Sequence, residues 1–327
     1  MAIDILNIQP SVISRDLKGK YIAIYGKEKV GKTSFAASFP KNLILSFEIG
    51  TNALSGIRAQ KIEKWADFKL VLRQLEKKEA KEMYDTITID TVTIAWELCE
   101  SFVCSQNGVQ KISDVPWGQG YAACKKEFEN SLRKITMMGY GIILISHDEK
   151  RIEKAEDGSE IEILCPDIPK RARAIVNQLV DIIGYIAVEW DKDGNSKRVL
   201  YTQQTPTIMA GTRYKYLAPK IPFGYNELVK AVSDAIDKSE RLDGATVVDQ
   251  VEQVAEQNLS FGEIRKEAEE LWNKLVSINE DNARIILKKV EMIFGRPIKL
   301  SEINEDQVDL FNLCLLDMRD MYEELNR

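Results

Sequence analysis

Histidine and cysteine are scarce in this chain of 327 residues. There is one histidine, His147, and there are five cysteines, Cys99, Cys104, Cys124, Cys165 and Cys314. The cysteines are odd in number and show neither C-x-x-C spacing nor pairing with histidine, so no disulfide framework or zinc site is indicated and buried thiols are expected. No apolar run approaches the roughly 18 residues of a membrane span, and the opening MAIDILNIQPSVIS lacks a signal-peptide layout. A cytoplasmic protein with no membrane partner is expected. Internal repeats, low-complexity tracts and a helix-turn-helix signature are also missing. Positive charge is in deficit, with 45 Lys and Arg against 51 Asp and Glu, which excludes a nucleic-acid binder of bulk basic character.

That deficit is unevenly placed. Residues 239–327 hold 11 Lys and Arg against 20 Asp and Glu, a balance of −9 that leaves residues 1–238 at +3. A local basic groove on the first part therefore stays open, while the acidic tail reads as a solvated helical surface or as a region that docks a basic partner. With 44% hydrophobic and 29% charged residues the composition is that of a globular protein, and the length suggests about two domains.

What the chain has in full is the stretch Tyr21 to Phe39. Gly26-Lys27-Glu28-Lys29-Val30-Gly31-Lys32-Thr33 fits G-x-x-x-x-G-K-S/T, a match expected by chance on the order of one per cent of the time in a chain this long. The uncharged, β-rich Tyr21–Tyr25 precedes it and a helical start at Ser34 follows, so strand, glycine loop and helix come in the required order. In such a loop the run Gly26 to Ser34 cradles phosphates with backbone N–H groups, aided by the helix N-terminus. Lys32 can reach the β- and γ-phosphates and the Thr33 hydroxyl can ligate Mg²⁺, which makes ATP and Mg²⁺ the expected cofactors.

Further units follow. Pro40 stops the helix, Asn42–Phe47 reads as a second buried strand ending at Glu48, residues 49–64 read as loop, and 65–81 as a helix. Met83–Thr91 is a strand delivering Asp90, which is either a second Mg²⁺ ligand beside Thr33 or the N-cap of the helix expected over 93–106; both roles fit only if Thr91 makes the cap. After a loop over 107–120 and a helix over 121–138, Gly141–Ser146 is an apolar strand that delivers His147 at its tip. This histidine is either structural or a sensor of the γ-phosphate on the edge where α/β ligands bind. Residues 148–167 read as a hairpin or mobile loop, 169–179 as a helix, 182–190 and 197–203 as a hairpin, 206–224 as a Pro- and Gly-punctuated segment with Arg213 and Lys215, and 223–238 as a helix. Residues 239–259 read as a polar linker. A capping box at Ser260 and Glu263 opens the first of three amphipathic helices, the others covering about 281–294 and 305–325.

With Glu48 and His147 placed, residues 18–238 resemble the RecA-like ATPases, and specifically the phage-encoded AAA-type nucleotide-binding proteins associated with single-strand annealing and recombination. The glycine loop, LSFEIGTNAL, the strand with Asp90, ILISHDEKR, PDIPKRARAIVNQLVDIIGYI and GTRYKYLAP fall in that family's order. The resemblance implies an α/β fold, a RecA-like P-loop core with a mostly parallel sheet flanked by helices (residues 1–238), to which a small C-terminal helical domain (260–327) is added. It implies an ATPase of the host-cell cytoplasm that assembles head to tail as a ring or filament and acts on single-stranded DNA, with single-strand-binding or annealing proteins as further partners.

It also implies catalytic roles. Glu48 orients or deprotonates the attacking water, Lys32 neutralises phosphate charge, His147 reports the γ-phosphate, and Arg213 or Lys215 acts on a neighbouring subunit's site as a basic finger. DNA would meet the loops 107–120 and 148–173 through Trp117, Lys150, Arg151, Arg171 and Arg173. Two other classes fit the same residues: a nucleotide-gated adaptor recruiting replication or annealing proteins through 260–327, and a P-loop small-molecule kinase with 148–173 as its lid.

Overall fold

The computed structural model describes residues 13–14, 17–48, 55–154, 158–248 and 261–325. They fall into two compact units, one within residues 9–255 and the other within 256–327.

The first unit begins with β1 (Ile13–Ser14), β2 (Tyr21–Gly26), α1 (Lys32–Ala37), β3 (Asn42–Ser46), β4 (Arg58–Lys61), α2 (Trp65–Leu75), α3 (Lys78–Met83), β5 (Thr86–Asp90), α4 (Val92–Gln106), α5 (Gln119–Met137) and β6 (Gly141–Ser146). It continues with β7 (Asp148–Lys154), β8 (Glu160–Pro166), α6 (Lys170–Leu179), β9 (Ile182–Trp190), β10 (Ser196–Tyr201), β11 (Gly211–Thr212), β12 (Lys220–Pro222), α7 (Tyr225–Asp243) and β13 (Val247–Val248). The main sheet runs β12-β10-β9-β2-β6-β5-β3-β4, with β11 added to β9; β7 and β8 form their own hairpin and β1 pairs with β13. Along this sheet the neighbours from β9 to β4 are parallel, while β10 and β11 pair antiparallel with β9 and β12 antiparallel with β10. This is a mostly parallel α/β core with the glycine loop at the end of β2.

Helices cover both faces, which is why β3, β5 and β6 are buried along their whole length and read as continuous apolar or Thr-rich runs. On β2 the alternation decides the face: Ala23 joins the core under α2, α4, α5 and α6, while Ile22 and Ile24 join the one under α1 and α7. The first core is anchored by aromatic rings, with Trp65 4.8 Å from Phe68 and 5.8 Å from Phe128, and Trp96 5.2 Å from Phe128. All five cysteines are buried and free.

Several elements differ from the sequence-based expectation. β4 lies in a segment read as loop; its RAQK sequence is exposed at every position and offers no apolar period, so the strand arises from pairing with the edge of β3. The helix expected over 65–81 is two, broken between Leu75 and Lys78. α7 continues past residue 238 to Asp243, where Gly244 at φ 70° closes it. Asp243 accepts from Lys215 Nζ (2.9 Å) and Tyr216 Oη (2.9 Å), so this last turn belongs to the sheet domain. The capping box at Ser260 and most of the segment read as linker lie outside the described residues.

The second unit is a three-helix bundle of α8 (Phe261–Ile278), α9 (Asp281–Phe294) and α10 (Val308–Leu325). Ile264, Leu275, Ile286, Val290, Phe311, Leu315 and Met318 fill its core, and Arg319 bridges α10 to Glu267 of α8 through two bonds of 2.6 Å. Since each unit has its own core, a fragment ending at residue 255 is expected to stay soluble and to melt in one cooperative transition by circular dichroism. Aggregation or a non-cooperative melt of that fragment would show that the bundle completes the first unit.

Candidate active site

The chain turns sharply where β2 ends. Gly26 has φ 157° and an added Cβ there would lie 2.8 Å from Ile186 O; Gly31 has φ 104° and a Cβ would run into the guanidinium of Arg198. Both positions therefore need glycine. Lys27, Glu28, Lys29 and Ser34 are exposed around this loop, while Val30 and Lys32 are buried.

The side chains that meet the loop arrive on different strands by register. Tyr25 is level with Ser146, Ile145 with Asp90, and Asp90 with Ser46. Gly26, His147, Asp90 and Glu48 thus emerge along one edge of the sheet, at the carboxyl ends of four adjacent parallel strands, where open α/β sheets bind ligands. Backbone bonds hold the edge in step: Phe47 N and Glu48 N both donate to Asp90 O, at 2.7 and 3.3 Å.

Lys32 is only 6% exposed. Its Nζ donates to Gly26 O (2.7 Å) and Lys27 O (2.8 Å) and stands 3.3 Å from His147 Nδ1. Burial pulls its pKa down, opposed by the charges of Asp90, Asp148 and Glu48. The Thr33 hydroxyl donates to Asp90 Oδ2 at 2.7 Å. Burial raises the pKa of Asp90, against the Thr33 hydrogen bond and the Lys32 charge, which favour the carboxylate. Thr91, extended at φ −114°, occupies the N-cap position of α4. Asp90 is therefore free of the capping role and its carboxylate points at the loop.

Glu48 closes the cluster. Its Oε1 accepts from Thr91 Oγ1 at 2.7 Å and lies 3.4 Å from His147 Nε2. Lys32, His147, Glu48 and Thr91 form one continuous polar chain, with the two imidazole nitrogens facing an ammonium and a carboxylate. The backbone of His147 is tied in turn to the segment after β8, because Asp167 N donates to His147 O at 2.9 Å. Ser146 Oγ lies against the carbonyls of both His147 (2.9 Å) and Asp167 (3.2 Å).

Two other residues singled out in the sequence, Arg213 and Lys215, are not at this edge. β11 pairs with the start of β9, so Arg213 and Lys215 lie toward the opposite edge of the sheet. Arg213 is not a free projecting cation: it donates to Asp181 Oδ1 (3.1 Å) and Gln178 O (2.5 Å). Lys215 is held by Asp243. Of the cations in 148–173, Lys150 pairs with Glu162 (2.7 Å), Arg151 with Glu149, Arg173 Nη1 contacts Cys165 Sγ (3.3 Å), and Arg171 covers the ring of Tyr121 at 4.1 Å. Trp117 is 95% exposed.

One residue at the loop had no signal in the sequence. Arg198 of β10 donates from Nη1 to Val30 O at 3.2 Å. In the sequence it is one of several charges in a hairpin arm, and only the antiparallel pairing with β9 carries it over the glycine loop.

An AAA domain family model matches residues 18–214. The chain is 32% identical over 334 residues to the SPbeta prophage-derived uncharacterized protein YorG of Bacillus subtilis (strain 168), covering 99% of this chain and 100% of that protein. Among solved structures, the flagellar accessory protein FlaH from Methanocaldococcus jannaschii matches with 13% identity and a TM-score of 0.34, covering 63% of this chain and 85% of that one.

Proposed function

This chain belongs to the AAA domain family, P-loop ATPases of phage type, and we propose that it hydrolyses ATP while acting on single-stranded DNA in recombination, replication or repair. The observation that carries the hydrolytic part is the shared oxygen of Glu48, fixed by Thr91 on one side and facing His147 on the other. A carboxylate held in this way is oriented before a water reaches it.

The residues fit ATP and Mg²⁺. The glycines leave the loop open to backbone contact, the buried Lys32 ammonium is at its mouth, and Thr33 and Asp90 supply the hard oxygen donors that Mg²⁺ prefers. Bound Mg²⁺ supplies neutralisation of phosphate charge. The chain does the rest: Gly26 to Ser34 hold the phosphates, Lys32 meets the terminal ones, and Glu48 orients and deprotonates water. A sensor role for His147 is supported by the bond from Asp167 N to its carbonyl, the path by which a change at the phosphate would reach the β7–β8 hairpin.

For DNA, the support is the exposed Trp117 ring in the loop before α5 and the cations of 148–173. Because Lys150 and Arg151 are paired with local acids, they must exchange partners to meet phosphates, so binding is expected to be salt-sensitive. Assembly is proposed to be head to tail. A basic finger from a neighbour would then be Arg213 or Lys215, released from Asp181 or Asp243.

A second reading, a nucleotide-gated adaptor, is favoured by the apolar side chains the bundle exposes, among them Met292 (77%) and Leu313 (51%). ATP turnover measured with and without single-stranded DNA separates the two. Stimulation by DNA, falling as salt is raised, is the expected result. Turnover indifferent to DNA would sink the DNA part of the proposal, and absence of turnover in protein that binds ATP would favour the adaptor.

A further inference from the structure

The glycine loop has two flanks. On one, β6, β5 and β3 deliver His147, Asp90 and Glu48. On the other, β9 and β10 run beyond it: Gly26, the last residue of β2, is level with Ile186, and β9 continues to Trp190. At a strand rise of about 3.3 Å per residue, Trp190 stands about 13 Å past the end of β2.

Register places three side chains of this extension on one face. Ile186 pairs with Leu200, Val188 with Arg198 and Trp190 with Ser196. Cross-strand partners and alternate residues share a face. Ile186 and Leu200 are buried in the same core as Val30 of the loop and Phe35 of α1. Val188, Trp190 and Arg198 therefore continue the loop's own face outward, past the point where helices cover it. Val188 is 48% and Trp190 72% exposed. Arg198 is positioned from both sides: Nη1 donates to Val30 O, and the guanidinium lies 5.5 Å from the ring of Phe223, which stacks on Phe35 at 5.0 Å.

A phosphate chain in the loop must direct its terminal phosphate toward Asp90, Glu48 and His147. Its other end then leaves on the side of β9 and β10. We infer that the β9–β10 hairpin is the nucleoside-binding wall of the site: Arg198 meets the phosphate chain near its α end, and Val188 and Trp190 form an apolar ledge on which the ribose and base lie. The inference rests on the ATP reading and specifies it. The same subunit supplies both ends of the site, with the base recognised by its ring face. An exposed tryptophan beside an arginine anchored over a phosphate loop is the pairing that a nucleotide's aromatic and anionic halves require.

The test uses the full chain with Mg²⁺ and three probes: ADP, a non-hydrolysable ATP analogue and inorganic tripolyphosphate, which has no nucleoside. Trp190→Ala is expected to weaken both nucleotides about tenfold, the scale of one lost base-stacking contact, and to leave tripolyphosphate within about twofold. Trp190→Phe should recover most of the nucleotide affinity, and Arg198→Ala should weaken all three probes. Unchanged nucleotide affinity in Trp190→Ala, or equal losses for nucleotide and tripolyphosphate, would overturn the ledge. Unchanged affinity accompanied by loss of self-association would assign the patch to a second copy of the chain instead. Wild-type protein that binds tripolyphosphate but discriminates nothing by the nucleoside would sink this inference alone, whereas failure to bind any probe would remove the ATP reading beneath it.

Discussion

Lys32→Ala is expected to reduce ATP turnover to background, a loss of about 10³-fold or more, and to weaken nucleotide binding as well. The ammonium it removes is buried, 6% exposed, and stands between the loop carbonyls of Gly26 and Lys27 and the ring of His147. A charge this far from water acts on phosphate oxygens with little screening, and no other buried cation among the described residues stands at the loop to replace it. Burial already penalises the ammonium, which is the sense of its lowered pKa, so its removal should not unfold the protein. Circular dichroism on the same sample would confirm that. Turnover within a few-fold of wild type in a folded Lys32→Ala protein would dismantle the site as described.

Glu48→Gln should cut turnover by about 10²-fold or more while leaving ATP affinity close to wild type, the scale on which a positioned general base contributes. Glutamine keeps the length of the side chain and an oxygen that can still accept from Thr91, so the geometry around α4 survives. What it cannot do is take a proton from water, nor can it offer His147 a negative partner at 3.4 Å. Single-turnover hydrolysis and equilibrium binding measured side by side separate these effects. A normal single-turnover rate would remove Glu48 from the base role, and a parallel loss of binding would make it a structural link between β3 and His147.

Most of the elements were legible because their causes are local. The uncharged runs of β2, β3 and β6, the Thr-rich β5 ending in Asp90, the glycine loop and the apolar faces of α5, α7 and α8 each state their period or turn chemistry within a few residues. β4 was not legible, because RAQK is a strand only by virtue of the β3 edge beside it. Arg213 illustrates the converse. Its sequence context of glycine-bounded loop suggests a cation free to project, yet the fold sets it next to Asp181 and the carbonyl of Gln178, both far away in the chain.

By itself the sequence determined that this protein has a P-loop, alternating strands and helices in its first part and amphipathic helices in its acidic last part, since the glycine spacing, the hydrophobic periods and the charge balance are properties of short segments. It could also nominate Asp90, Glu48 and His147, because each follows an apolar strand and so must come out at a strand's end. Only the tertiary structure decided what those ends meet. The register of six strands drawn from distant parts of the chain puts Thr33 on Asp90, Glu48 between Thr91 and His147, and Arg198 over Gly31. Such contacts depend on how strands are ordered and aligned across the sheet, and a shift of one residue in any pairing would turn each side chain to the other face.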